Sequence, residues 1–97
     1  MIRGKLMRIS QDFVVREIAG EHIVVPTGQE ALKFHGLIAL NEVGAFLWKL
    51  LQEKERTEED LITSLCEEYE VDTQSAREDI AEFLQTLRNR DMLKENL

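Results

Sequence analysis

The first forty residues contain short runs of β-branched and aromatic residues separated by turn residues, a pattern typical of strands. Residues 13–18 (Phe-Val-Val-Arg-Glu-Ile) and 22–25 (His-Ile-Val-Val) are two such runs, and they suit a pleated, half-buried surface. Gly20 lies between them and tolerates the positive φ of a tight reversal. Pro26 ends the second run because it cannot donate to a ladder. The pattern predicts a hairpin, followed by a short strand at residues 37–40 (Leu-Ile-Ala-Leu) that lies at a sheet edge.

The rest of the chain carries three apolar stripes at helical spacing, each preceded by a capping residue. Asn41 is predicted to cap a first helix that ends near residue 52. Thr57 is predicted to cap a second helix, with Asp60 in an approximate capping box. Asp72 is predicted to cap a third helix that ends near Asn89. The predicted buried stripes are Val43, Phe46, Leu47, Leu50 and Leu51; Leu61, Ile62, Leu65, Cys66 and Tyr69; and Ala76, Ile80, Phe83, Leu84 and Leu87.

These elements predict an α+β fold of the winged helix-turn-helix-like kind. An N-terminal three-stranded antiparallel sheet is followed by a three-helix bundle, because each helix has one apolar face that must pack on the others and on the sheet. Met92 and Leu93 form a final short strand or a packed tail. The pattern assigns residues 1–10 to an N-terminal extension and residues 11–97 to a single domain.

Composition is typical of one globular domain, with 97 residues of which 43% are hydrophobic and 32% charged. No apolar run approaches the roughly 18–20 residues of a membrane span, and no apolar signal core follows the basic N-terminal residues. The single Cys66 cannot build a disulfide framework. These features predict a cytoplasmic protein without a membrane partner.

The net charge of −7 is unevenly distributed, and this bears on nucleic-acid binding. Residues 1–40 carry a net charge of +1 and residues 41–97 a net charge of −8. The last two predicted helices have a helix-turn-helix connection, and Gln74, Ser75 and Arg77 stand where a recognition helix begins. A winged-helix DNA-binding transcription regulator is therefore the alternative function. Glu78 and Asp79 follow at once, however, and phosphates require a basic surface, so no nucleic-acid partner is expected.

The residues that carry enzyme chemistry do not occur in a recognisable pattern. His22 and His35 lie thirteen residues apart without metal-ligand spacing. Cys66 falls on the inner face of the second predicted helix, where a core cysteine is expected, and Trp48 falls beside the stripe of the first helix, at the core edge. The five glycines form no phosphate-binding loop. The sequence predicts no catalytic residues, no metal and no cofactor, and thus a protein that is not an enzyme.

Several segments together resemble the PqqD-like family, named for a protein of pyrroloquinoline quinone biosynthesis. The resemblance covers about residues 10–95. The set of Leu40-Asn41-x-x-Gly44-Ala45 with Arg56-Thr57-x-x-x-Leu61 is fairly specific, whereas each piece alone is weak. The segments are residues 15–21, 40–48, 56–59, 69–72 and 79–84.

The resemblance implies a non-catalytic peptide chaperone. Such domains bind the leader of a ribosomally synthesised precursor peptide and present it to a modifying enzyme, often a radical S-adenosylmethionine maturase. In the family the leader adds as a strand to the open edge of the third strand, in the groove beside the third helix. Pyrroloquinoline quinone is not implied as the product.

The residues themselves offer a compatible surface for such a peptide. The edge strand has unpaired backbone groups suited to β-augmentation, so Ile38→Pro is expected to remove a donor and weaken binding. A line of four residues on the third helix places two cations around two apolar residues; it consists of Arg77, Ala81, Leu84 and Arg88. Alternatively, the two arginines simply offset an acidic surface. The predicted peptide-binding residues are Gly36, Leu37, Ile38, Ala39, Leu40, Arg77, Ala81, Leu84 and Arg88.

Two further questions stay open at this level. A subunit that docks to an enzyme without touching the peptide is a third function compatible with the sequence. An exposed edge strand can also pair with its own copy, so both a monomer and a homodimer are compatible with it.

Overall fold

The computed structural model describes residues 5–32 and 38–96, which form an α+β fold with two antiparallel sheets and three helices. The three-stranded sheet followed by three helices confirms the predicted class. In chain order the elements are β1 (Leu6–Ile9), β2 (Phe13–Ile18), β3 (Glu21–Pro26), a 3₁₀ helix (Gly28–Leu32), β4 (Ile38–Leu40), α1 (Glu42–Glu53), α2 (Glu58–Glu68), α3 (Thr73–Asn89) and β5 (Leu93–Asn96).

The β2–β3 hairpin closes through a two-residue turn in which both residues have positive φ. Ala19 has φ 53° and Gly20 has φ 82°, the signature of a type I′ turn, whose twist matches that of the flanking strands. Ile18 and Glu21 are the cross-strand partners next to the turn. The hairpin therefore forms where the sequence predicts it, and the turn fixes its register.

All three helices begin at the predicted capping residues. Asn41 Oδ1 accepts a hydrogen bond from Gly44 N at 2.7 Å, and Asp72 Oδ1 accepts one from Ser75 N at 2.7 Å. Thr57 and Asp60 form a complete capping box: Asp60 N donates to Thr57 Oγ1 at 3.1 Å, and Thr57 N donates to Asp60 Oδ2 at 3.0 Å. Each bond satisfies an N–H that the helix itself leaves unpaired.

A second sheet joins the two ends of the described chain. β1 pairs antiparallel with β5, so that Leu6 lies opposite Asn96. Met7 also exchanges two backbone hydrogen bonds with Arg56, at 2.8 and 2.9 Å, which attach β1 to the α1–α2 connection. The sequence pattern assigns residues 1–10 to an extension; the structure differs, because residues 6–9 form a paired strand of the fold and Met7 and Ile9 are buried.

The core lies between the helices and the inner faces of the two sheets. Trp48, expected at the core edge, lies inside it with 1% of its surface exposed. Cys66 is half-buried and packs against the same cluster. Within the described residues, every helix falls short of the length and hydropathy of a transmembrane span. The buried apolar residues are Met7, Ile9, Phe13, Val24, Leu47, Trp48, Leu51, Leu61, Ile62, Leu65, Ala76, Ile80, Leu84, Leu87 and Met92.

Candidate functional site

The edge strand β4 has one side that pairs with no strand of the described chain. The sheet order is β2-β3-β4, so that β3 lies on one side of β4 and the other side is open. Ile38 and Leu40 turn their side chains toward the core, whereas Ala39 is exposed. Gly36 and Leu37, which were expected to extend this edge, lie outside the described residues.

The register identifies which residue presents its backbone to the open side. Thr27 N donates to Asp12 O at 2.7 Å. Because hydrogen-bonded and non-hydrogen-bonded pairs alternate in an antiparallel ladder, the odd-numbered residues of β3 bond to β2. The even-numbered residues of β3, His22 and Val24, therefore bond to β4.

The cross-strand partners of these two β3 residues are Leu40 and Ile38. The N–H and C=O groups of Leu40 and Ile38 are thus used inside the sheet. Ala39 lies opposite Ile23 in the intervening non-bonded pair, so its N–H and C=O point to the open edge. Ala39 is accordingly the described residue of β4 that is positioned to bond an added strand.

A groove of about 310 Å³ lies along this edge, between β4, the start of α1 and one side of α3. This volume is at the low end for small-molecule pockets, and the groove is open to solvent, which suits side chains of an extended peptide. Apolar side chains form much of its floor. Its lining residues are Ile38, Ala39, Leu40, Asn41, Val43, Gly44, Leu47, Asp79, Glu82, Phe83 and Thr86.

Gly44 keeps the junction between β4 and α1 narrow. It is buried, and a Cβ placed on it would lie 3.2 Å from Asn41 Oδ1 and 3.5 Å from Leu40 Cβ. A side chain at position 44 would therefore require the capping side chain of Asn41 to shift by a few tenths of an ångström, while its contact with Leu40 would be an ordinary one. This close approach places the α1 end of the groove directly beside the strand edge.

The side of α3 that borders the groove differs from the side that the sequence suggests. At about 100° per residue, the groove residues of α3 lie on one flank of its buried stripe. Arg77, Ala81 and Arg88 lie on the opposite flank, and Leu84 belongs to the buried stripe with 1% exposure. The structure therefore places these predicted peptide-binding residues outside the lining of the groove. The groove residues of α3 are Asp79, Glu82, Phe83 and Thr86.

Both arginines of that line have carboxylate partners away from the groove. Arg77 Nη1 lies 3.2 Å from Glu59 Oε2, at the start of α2. Arg88 bonds Glu95 of β5 through two nitrogens. These contacts favour the alternative in which the two cations offset acidic neighbours.

The charged residues of the groove wall are both acidic. Asp79 and Glu82 are exposed, and neither carboxylate has an ion-pair partner among the described residues. Sequence periodicity places Phe83 in the buried stripe, but its ring is half-buried because one side of it borders the groove. A chain of alternating apolar and cationic side chains is complementary to this surface.

The described residues offer little for catalysis or metal binding. They contain no cluster of three or more His, Cys, Asp or Glu residues able to hold a metal ion. His22 is half-buried in β3, and His35 lies outside the described residues. The features that distinguish the groove are its backbone edge, its apolar floor and its acidic wall.

Comparison with known proteins places this arrangement in a family. The family model for coenzyme PQQ synthesis protein D (PqqD) matches residues 21–93, which include β3, β4 and all three helices. The chain belongs to the PqqD family. The match includes every described residue that lines the groove, and it confirms the resemblance that the sequence segments indicate.

Two solved structures are similar to this member of the PqqD family. One is TbiB1 in complex with the TbiA(beta) leader peptide, with 30% identity and a TM-score of 0.70 over 90% of this chain and 94% of that one. The other is lasso peptide synthetase B1 complexed with the leader peptide, with 22% identity and a TM-score of 0.69 over 91% and 96% of the two chains. The second likeness is one of fold. A search of curated protein sequences gave no significant match.

Proposed function

We propose that this chain binds the leader segment of a ribosomally synthesised precursor peptide by strand addition at β4. The observation that carries the proposal is the open edge of β4 beside the groove, with the N–H and C=O of Ala39 directed outward. Main-chain hydrogen bonds to such an edge supply affinity, and the adjoining groove selects side chains. The leader lies between β4 and α3, with its side chains on Phe83 and the α1 end of the groove.

The relatives support this proposal. TbiB1, whose likeness spans nearly the whole of both chains, was solved with a leader peptide in place. The same description applies to lasso peptide synthetase B1. Among the described residues the groove is a feature that suits an extended peptide, whereas a larger depression near the α1–α2 connection is lined mainly by polar residues.

The chain acts in this proposal as a carrier without catalysis of its own. It presents the bound precursor to a modifying enzyme in the cytoplasm. A radical S-adenosylmethionine maturase is the enzyme class that the family resemblance implies, and the proposal is equally compatible with another modifying enzyme. Co-purification of this chain with the enzyme encoded beside it, with and without the leader, distinguishes a carrier from a subunit that never touches the peptide.

DNA binding is disfavoured by the surface of α3. Its first ten residues include the exposed Glu78, Asp79 and Glu82, and a recognition helix requires a basic surround. Salt-sensitive binding to duplex DNA at physiological ionic strength would favour the regulator instead.

An amide-shift titration tests the binding site. The probe is the leader of a short precursor encoded next to this chain's gene. We expect the largest shifts at Ala39, Gly44 and Phe83. Saturable shifts confined to the opposite flank of α3, around Arg77 and Arg88, would overturn the groove assignment, and the absence of any shift would overturn leader binding.

A further inference from the structure

The acidic wall of the groove constrains the peptide that it accepts. Asp79 and Glu82 stand three residues apart on α3, about 4.5 Å along the helix axis, so one long cationic side chain reaches both carboxylates. Both carboxylates lack a cationic partner among the described residues. Since the protein carries a net charge of −7, an occupant with a cation here gains attraction that an acidic occupant lacks.

Strand geometry fixes which peptide side chains enter the groove. The peptide residue opposite Ala39 places its side chain on the exposed face, with that of Ala39. The residues on either side of it turn toward Ile38 and Leu40, and hence toward α3, because side chains alternate along a strand. These two groove-facing side chains are about 6.7 Å apart along the peptide.

The α3 wall has a matching repeat. Asp79 and Phe83 are four residues apart on the helix, about 6 Å along its axis, which is close to the spacing of alternate strand residues. A peptide that runs along α3 and seats one side chain on Phe83 therefore places the next but one beside Asp79, with Glu82 between the two positions. The first of these positions is apolar and the second is charged.

Resting on the proposed function, we infer that the leader carries a Lys or Arg two positions from an apolar residue, the cation facing Asp79 and Glu82 and the apolar side chain seated on Phe83. The backbone edge supplies sequence-independent affinity, and the Asp79–Glu82 pair with Phe83 supplies the specificity. Acidic or uncharged leaders of the same length bind more weakly.

The test selects displayed random peptides of about twelve residues, roughly 40 Å when extended, against the intact chain. We expect the recovered peptides to share a Lys or Arg two positions from an apolar residue. Selection against the doubly neutralised Asp79→Asn/Glu82→Gln protein should retain the apolar preference and lose the cationic one. The matched control is Glu67→Gln/Glu78→Gln, which removes the same charge from exposed positions outside the groove lining and should leave the cationic preference intact.

A titration of one recovered peptide provides the quantitative arm. Asp79→Asn/Glu82→Gln should weaken its binding about threefold to tenfold, as expected for partly exposed pairs, and the control pair should weaken it less than twofold. Replacing the Lys or Arg of the peptide by norleucine should weaken its binding to the wild-type protein by the same threefold to tenfold. The same replacement should leave its affinity for Asp79→Asn/Glu82→Gln almost unchanged. Far-UV circular dichroism of each variant verifies that the fold is retained.

The outcomes separate the inference from the function on which it rests. If the recovered peptides bind Ala39→Pro more weakly than the wild type but show no cationic preference, the inference is overturned and leader binding by strand addition still holds. If no peptide is recovered, or if the recovered peptides bind Ala39→Pro as well as the wild type, strand addition itself fails.

Discussion

Arg88 of α3 and Glu95 of β5 form a two-bond ion pair, with Nε 3.2 Å from Oε2 and Nη2 3.1 Å from Oε1. The hydrogen bonds from Arg88 lower the pKa of the Glu95 carboxyl below its ordinary value, against the opposing effect of partial burial. The pair connects the last turn of α3 to the second sheet. Its role is therefore to hold the C-terminal strand on the helix, and it lies on the flank of α3 away from the groove.

Removing this pair should affect stability and leave peptide binding unchanged. We expect Arg88→Gln to lower the free energy of unfolding by about 0.5–1 kcal/mol, since the pair is bidentate but partly exposed. Urea denaturation measures the loss, and Arg77→Gln, whose partner Glu59 is largely exposed, should cost less. A loss of leader affinity in Arg88→Gln without a loss of stability would restore the arginine line as a contact surface.

Proline substitutions at adjacent positions of β4 should separate binding from folding. Ala39→Pro removes an N–H that points to the open edge, so leader affinity should fall at least tenfold while the thermal midpoint changes little. Ile38→Pro removes an N–H used to bond Val24 and should destabilise the sheet itself. Calorimetric titration and thermal unfolding of both variants check this; equal loss of stability in the two would contradict the derived register.

Shortening the aromatic side chain of the α3 wall should weaken leader binding more than a substitution on the opposite flank of α3. Phe83→Ala removes apolar area that borders the groove, and a central contact of this kind is worth about 1–2 kcal/mol, or roughly tenfold in affinity. Ala81→Gln, on the opposite flank, should change affinity less than twofold. Fluorescence titration with the leader compares the two, and Phe83→Leu should recover part of the loss.

The cap of α3 should make stability depend on pH in acid. Hydrogen bonding from Ser75 N–H, the largest effect, lowers the pKa of Asp72 below its ordinary value of 3.8. A carboxyl whose pKa is depressed by folding contributes stability above its unfolded-state pKa, and the contribution disappears as the pH falls through the folded-state value. The stability difference between wild type and Asp72→Asn should thus be constant above about pH 5 and shrink below pH 3.8. A difference that grows toward low pH would show that the carboxylate is not the stabilising form.

The helices and the hairpin could be predicted because their signals are local. Asn41, Thr57 and Asp72 each bond an N–H three residues away, so a short stretch of sequence contains the whole interaction. The hairpin is equally local, because Ala19 and Gly20 form the turn by themselves. β1 was not predicted because its partner strand lies about ninety residues away in the sequence, and four residues give too short a pattern to identify a strand.

The site was half predictable for a related reason. An edge strand follows from the order of elements: the sequence predicts it at residues 37–40, and the described structure has β4 at Ile38–Leu40, at the edge of its sheet. Periodicity shows which stripe of a helix is buried, but it does not show which flank of that stripe faces a neighbouring strand. Arg77 and Phe83 flank the stripe of α3 on opposite sides, and tertiary packing alone places Phe83 beside β4. The sequence indicates that Asp79 and Glu82 repel phosphate. It does not show that they border a groove, because the groove forms only when α3 packs near β4 and α1.

The pairing of Leu6 with Asn96 means that the described chain enters and leaves the fold at one place, with Cα atoms about 5 Å apart. A fold with such adjoining ends behaves as a nearly closed loop. A few linking residues would join them, and the chain could then be cut at the Ala19–Gly20 turn without breaking β4 or α3. A circular permutant of this kind should retain the groove. For the same reason, fusion of this domain to another protein at either end attaches it at the same place on its surface. The β4 edge then stays accessible, and the linker length sets how far from the fusion partner it can reach.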